Sequence, residues 1–248
     1  MRRTIDFLGI TVDVVDTEGL FNRIVDFVEA RTPRKVTYLN AHCTVMAMND
    51  PAYKGALNNH DLVYADGQGV VWASKLFGPG LPCRSTGADF LPHFCEGFAK
   101  RGHKLFFLGA EPGVAASAAE KLEERIPDLK VVGTHHGYLA DVDDAELVAA
   151  ITAAKPDILI VGMGVPLQEN WVEKNFASLD IPVVWSVGAL FNFISGDLAR
   201  GPRFLVDHGF EWLCRLFVEP RRLWRRFIFG NLKFIYLVVS HKLAGKRS

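Results

Sequence analysis

The run Asp157-Ile158-Leu159-Ile160-Val161-Gly162 (DILIVG) is apolar at every interior position and ends on glycine. A strand wet on one side alternates apolar with polar residues, whereas one apolar throughout is covered on both faces. Lys104–Gly109 (KLFFLG) and Val183–Gly188 (VVWSVG) have the same character. Working outward, further strands are expected at Lys35–Asn40, Leu62–Ala65 and Lys130–Gly133, and Ile5–Val15 reads as a strand or hairpin. Helical patterns separate them at Thr17–Ala30, Gln68–Leu76, Asp89–Lys100, Gly113–Arg125, Ala145–Ala154 and Gln168–Phe176. This alternation predicts an α/β fold: a Rossmann-like, mostly parallel sheet with helices on both faces.

In such sheets, ligands bind beyond the carboxyl ends of the strands. Asn40, followed by Ala41 and His42, suits hydrogen bonds to a sugar or base, or the N-cap of a helix. Asp66-Gly67-Gln68-Gly69 follows Leu62–Ala65. A carboxylate there suits a general base on an acceptor hydroxyl or, again, a helix cap, and the glycines let a ligand approach the backbone. Arg84-Ser85-Thr86-Gly87 sets an arginine and two hydroxyls before a helix, a pattern for a phosphate or a capped helix start. Gly109-Ala110-Glu111-Pro112-Gly113 resembles a nucleotide-phosphate turn without being a Walker A loop or GxGxxG. In Gly162-Met163-Gly164-Val165-Pro166-Leu167-Gln168-Glu169, Gln168 suits a nucleobase edge. Glu169 suits ribose hydroxyls, or merely the helix dipole. There is no HExxH, no Cys/His cluster and no DxD pair after a strand; Asp141-Val142-Asp143 lies in a polar stretch read as surface. Neither a metal site nor another cofactor is expected.

The chain has 248 residues, 49% hydrophobic and 23% charged, enough for one large domain or two small ones and too apolar for disorder. Its 28 basic and 28 acidic residues balance, but unevenly. Positions 200–248 hold eleven Lys or Arg against three Asp or Glu, a net of +8, which leaves −8 on the rest. The expected division is therefore an α/β domain over 1–199 and a basic amphipathic appendage over 200–248. Arg221–Lys233 reads RRLWRRFIFGNLK; Leu223, Trp224, Phe227, Ile228 and Phe234 can share an apolar face flanked by arginines. That is the pattern of a helix resting on an anionic membrane surface. A membrane span is not expected, because Gly230, Asn231 and Lys233 interrupt the longest candidate, Phe227–Val239. MRRTIDFLGITVDVV has no apolar core for a signal peptide, and four cysteines without CxxC spacing fit reduced cytoplasmic thiols. The acidic body argues against a nucleic-acid partner.

Taken together, these segments resemble the WecG/TagA/CpsF family, glycosyltransferase family 26. The resemblance is carried by NAHCTVMAMNDPAYKGALNNHDLVYADGQGVVWASKLFG (40–78), RSTGADF (84–90), GMGVPLQENW (162–171), VGALFNFISGDLARGPRF (187–204) and GFEWLCRLFVEPRRLWRRF (209–227). It implies metal-independent, inverting transfer of a hexose, often N-acetylmannosamine, from a UDP-sugar to a polyprenyl-diphosphate-linked sugar. It implies Asp66 as general base, Gln168 and Glu169 near the nucleotide, and Arg215, Arg222 and Arg225 on the acceptor diphosphate. An enzyme with these substrates would sit on the inner face of the cell membrane, peripheral and cytoplasmic. Two departures bear on the sugar. Many members have Thr-x-Asn where this chain has Tyr38-Leu39-Asn40, with Thr37 displaced to the opposite side of the strand. Many have Gly-Ser-Pro-Lys-Gln-Glu where this chain has Gly164-Val165-Pro166-Leu167-Gln168-Glu169. The residues alone also admit a membrane-surface nucleotide-binding regulator without catalysis. They leave open whether the chain forms a homo-oligomer.

Overall fold

The computed structural model describes residues 2–198, 201–202, 204–205, 211–218 and 220–244, with the side chains at 211, 215, 218, 222 and 226 outside the description. The chain opens with an antiparallel hairpin, β1 (Thr4–Phe7) and β2 (Ile10–Asp13). Its turn residues Leu8 and Gly9 both have positive φ, the geometry that matches the twist of a two-residue hairpin. Six parallel strands follow: β3 (Arg34–Leu39), β4 (Leu62–Ala65), β5 (Lys104–Gly109), β6 (Lys130–His135), β7 (Ile158–Gly162) and β8 (Val183–Ser186). Their order is β4-β3-β8-β7-β5-β6.

The apolar runs that predict doubly covered strands are the interior ones. β7 and β8 are buried at every residue, and β5 at every residue but its first. Alternate side chains feed two cores. Phe107, Ile158, Ile160 and Trp185 enter one; Phe106, Leu108, Leu159, Val161 and Val184 enter the other. Helices cover both faces: α1 (Thr17–Ala30), α2 (Ala41–Asn49), α3 (Pro51–Asn58), α4 (Gln68–Ser74), α5 (Gly87–Lys100), α6 (Val114–Arg125), α7 (Asp144–Ala153), α8 (Leu167–Asn175) and α9 (Leu190–Ile194). Each strand and helix expected over residues 5–188 appears within two residues of its expected ends. The helices α3 and α9 were not anticipated, and of α2 only its start was, through the reading of Asn40 as an N-cap. Asn40 and Asp50 start α2 and α3, each accepting hydrogen bonds from backbone N–H groups of the helix it caps.

The C-terminal segment differs from its expectation. It comprises α10 (Glu211–Val218), α11 (Pro220–Trp224), a π-helical turn (Arg225–Phe229) and α12 (Gly230–Ala244). Gly230, Asn231 and Lys233 do not interrupt it, since backbone hydrogen bonding continues through all three. Phe227–Ala244 is thus an 18-residue helical run long and apolar enough to cross a membrane by length and composition. Nor do the five residues expected on one apolar face share it. Leu223 and Phe234 are buried, while Trp224 and Ile228 are exposed. The π turn holds more residues per turn than an α-helix, so it rotates the register between Leu223 and Phe234. α12 turns Phe234 and Val238 into the main core and leaves Leu232, Ile235, Val239 and Leu243 as an exposed strip, which Ile228 of the π turn continues.

Candidate active site

The strand order reverses direction between β3, which leads outward to β4, and β5, which leads outward to β6. The carboxyl ends of β3, β4, β5, β7 and β8 therefore open onto one crevice. A cavity of about 1880 Å³ lies there. Asn40, Asp66, Gly67, Arg84, Glu111, Gly162 and Gly164 all line it, from five separate loops.

Backbone hydrogen bonds fix the loop ends. Asp66 N–H donates to the Leu39 carbonyl (2.9 Å), which holds the aspartate beside Asn40. Gly67 packs so closely that a Cβ on it would lie 3.1 Å from Asn40 Cβ. Asn40 Oδ1 accepts from Cys43 N–H, so the cap and the cavity wall are one residue. Ser85 N–H donates to the Ala65 carbonyl (2.7 Å), which sets Arg84 next to β4 and directs the start of α5 toward the cavity. Thr86, which lines the cavity, immediately precedes that helix, whose N-terminus favours negative charge. The ends of β5 and β7 nearly touch: a Cβ on Gly109 would lie 2.4 Å from the Gly162 carbonyl. Gly109 does not itself line the cavity; it supports the turn that presents Ala110 and Glu111. Tyr138 Oη donates to Glu111 Oε1 at 3.4 Å.

Gln168 and Glu169, expected at the nucleotide, are fully buried beneath the cavity rather than lining it. Gln168 Oε1 accepts from Gly188 N–H (2.9 Å), and its Nε2 donates to Glu169 Oε1 (2.8 Å). Thr37 Oγ1 donates to the same oxygen at 3.1 Å. Thr37 thus faces away from the cavity, as strand alternation requires, and Tyr38 lines it. Burial pushes the Glu169 carboxyl up to about 7, despite the hydrogen bonds from Gln168, its own backbone and Thr37 that favour the charged form. Its Oε2 is buried without a hydrogen bond.

Of the three expected tail arginines, Arg225 is exposed, with its guanidinium 5.3 Å from the Trp224 ring centroid, and is not among the cavity-lining residues. The side chains of Arg215 and Arg222 lie outside the described residues. Their segment does wall the cavity, through Trp212, Phe227 and Ile228. Sequence reasoning missed Asn192 and Asp197, which also line it. Asp197 Oδ2 accepts from Ser195 Oγ (2.6 Å). Asn192 lies within α9 and Asp197 just beyond it, past the first loop after β8, so reading strand ends alone passes them over. Among the described residues no three His, Cys, Asp or Glu side chains group as a metal site.

A crevice at a topological switch point, lined by polar loop ends and walled on one side by an apolar helix, is where an α/β enzyme of this architecture binds its ligand. The comparisons specify the class further. A model of the glycosyl transferase WecG/TagA/CpsF family matches residues 5–248. The chain is 31% identical over 201 residues to an N-acetylglucosaminyldiphosphoundecaprenol N-acetyl-beta-D-mannosaminyltransferase of Bacillus spizizenii, covering 81% of this chain and 77% of the relative. It is 29% identical over 251 residues to the protein of the same name from Staphylococcus aureus, covering 98% and 95%. The chain belongs to the WecG/TagA/CpsF family of glycosyltransferases.

Proposed function

We propose that this protein transfers an N-acetylmannosamine-type hexose from a UDP-sugar to a sugar carried on a polyprenyl diphosphate, by one inverting displacement. The observation that carries the reading is the position of Asp66, which faces the cavity between the N-termini of α2 and α5. The acceptor hydroxyl attacks the anomeric carbon from the face opposite UDP. The new C–O bond forms as the bond to the β-phosphate oxygen breaks, and that oxygen keeps the electron pair. Asp66 takes the hydroxyl proton, a contribution typically worth ~10²–10⁴-fold. Charge growing on the diphosphate meets Arg84 and the positive end of the α5 helix dipole. Asn40, Glu111 and the backbones of Gly67, Gly162 and Gly164 shape the donor side. Gln168, Glu169 and Gly109 act from behind by holding those loops. Arg215 and Arg222 take the acceptor diphosphate, while Arg225, outside the cavity, joins the basic segment that rests on the anionic inner face of the cell membrane.

The test uses purified protein, candidate UDP-sugars and an N-acetylglucosamine diphosphate-lipid acceptor. Asp66→Asn is expected to lower turnover by at least ~10²-fold while UDP affinity changes little. Turnover near that of the unsubstituted protein would remove Asp66 as the base.

A further inference from the structure

The cavity has two chemically different parts. Around Asp66 its lining is polar. Along one side it becomes apolar, through Trp72 and Leu76 from the α4 region and Leu232, Ile235 and Val239 of α12. The two elements run side by side in the same direction. Near the start of α4, a Cβ on Gly69 would lie 3.6 Å from the Phe234 ring. At the far end, the Phe77 and His241 rings pack with centroids 5.8 Å apart, and Lys242 Nζ donates to the Leu76 carbonyl. α4 begins two residues after Asp66, so the trough between these elements leads away from the carboxylate. Spacings of three and four residues keep Leu232, Ile235 and Val239 on one face of α12, and Leu76 follows the C-terminal end of α4. All five side chains are exposed, from 44% at Leu76 to 61% at Leu232.

We infer that the trough between α4 and α12 is a binding subsite for the first isoprenoid units of a lipid whose diphosphate sits nearer Asp66. The inference rests on the acceptor class proposed above. An amphiphile with its head at Asp66 must lead its chain out of the cavity. The floor is closed by buried strand ends, while Arg84, Glu111 and Asp197 line other parts of the cavity. The trough offers a path that is apolar on both walls and continuous with the polar part. Leu232 to Val239 spans roughly 10 Å of helix, so only the proximal units are held and the remainder of the chain stays in the bilayer.

The experiment uses the full chain and two acceptors with the same sugar diphosphate, one on a polyprenyl chain and one as a methyl ester without a tail. For the unsubstituted protein, KM is expected to be lower for the tailed acceptor. Leu76→Ser and Ile235→Ser, both at exposed positions, are expected to raise that KM roughly tenfold, the effect of losing about two buried methylenes. The kcat, the KM for the tail-less acceptor and co-sedimentation with anionic phospholipid vesicles should stay as they were. An unchanged ratio of the two KM values overturns the subsite, and if vesicle binding falls at the same time the strip belongs to the bilayer. Transfer to neither acceptor by the unsubstituted protein removes the acceptor class, and the inference with it. Transfer to the tail-less acceptor with an unchanged ratio removes the trough alone.

Discussion

Glu169 reads in sequence as a helix-start carboxylate beside a ligand, yet its side chain is buried with one oxygen unpaired. α8 starts at the cavity, where its first residue Leu167 lines the wall, but it directs the next two side chains inward, so Gln168 is spent on Gly188 N–H and Glu169 on Gln168 and Thr37. The consequence for stability has a definite sign. With its folded-state value raised from 4.5 to about 7, the carboxyl holds a proton in the folded state that the unfolded chain has already released. Stability attributable to this group is fully present below pH 4.5 and is lost as pH rises through 7. Glu169→Gln is therefore expected to stabilise the protein at pH 8 by about 1–3 kcal/mol relative to its effect at pH 4.5. Urea unfolding of both forms at the two pH values measures this, and an equal effect at both would mean that folding does not raise the carboxyl's pKa. At this scale the sequence shows which loops carry polar groups. Whether a given side chain reaches the ligand or braces the loop depends on the angle at which its helix meets the sheet, which no local pattern encodes. Asn40 has the opposite outcome to Glu169: its two readings, cap and cavity wall, are both realised.

Among elements, the parallel strands were the most legible because burial on both faces leaves an unbroken apolar run, and the longest runs are the central strands. Helices whose faces are set by short-range capping were less so. α2 and α3 meet at Asp50-Pro51, where one aspartate ends the first and caps the second, and their apolar spacing blends into one irregular stretch. The strand ends carry a constraint beyond periodicity. β5 and β7 are in register up to Gly109 opposite Gly162, and Ala110 N–H then donates to the Gly162 carbonyl (3.0 Å). Gly109 has φ +149, and a Cβ there would strike backbone atoms rather than a movable side chain. Gly109→Ala is expected to cost at least ~2 kcal/mol, because the two strands must separate where the cavity turn begins. Chemical denaturation should show the loss, and a variant equally stable would mean that the turn relocates without strain.

For the whole molecule, the uneven charge marks a boundary near residue 200, but packing does not follow charge. α12 carries Phe234 and Val238 into the same core as the N-terminal hairpin. The Phe7 ring is 5.5 Å from Phe77 and 6.3 Å from Phe234, so the first strand, the end of α4 and the last helix meet at one residue. Lys233 Nζ also donates to Asn49 Oδ1 on α2 (2.8 Å), on the flank of that contact. A segment that served only as a detachable anchor would bury no such ring, and its loss would leave the body's stability unchanged. With α12 docked, Phe234→Ala is expected to lower the unfolding free energy by about 3 kcal/mol, the lower end for truncating a buried phenylalanine. Measured in urea without lipid, the transition midpoint should fall while its slope stays constant, because the same surface is exposed on unfolding. An unchanged midpoint would mean that the helix leaves the body in solution. The trough beside Asp66 would then be assembled only at the membrane, rather than carried ready-made to its substrate.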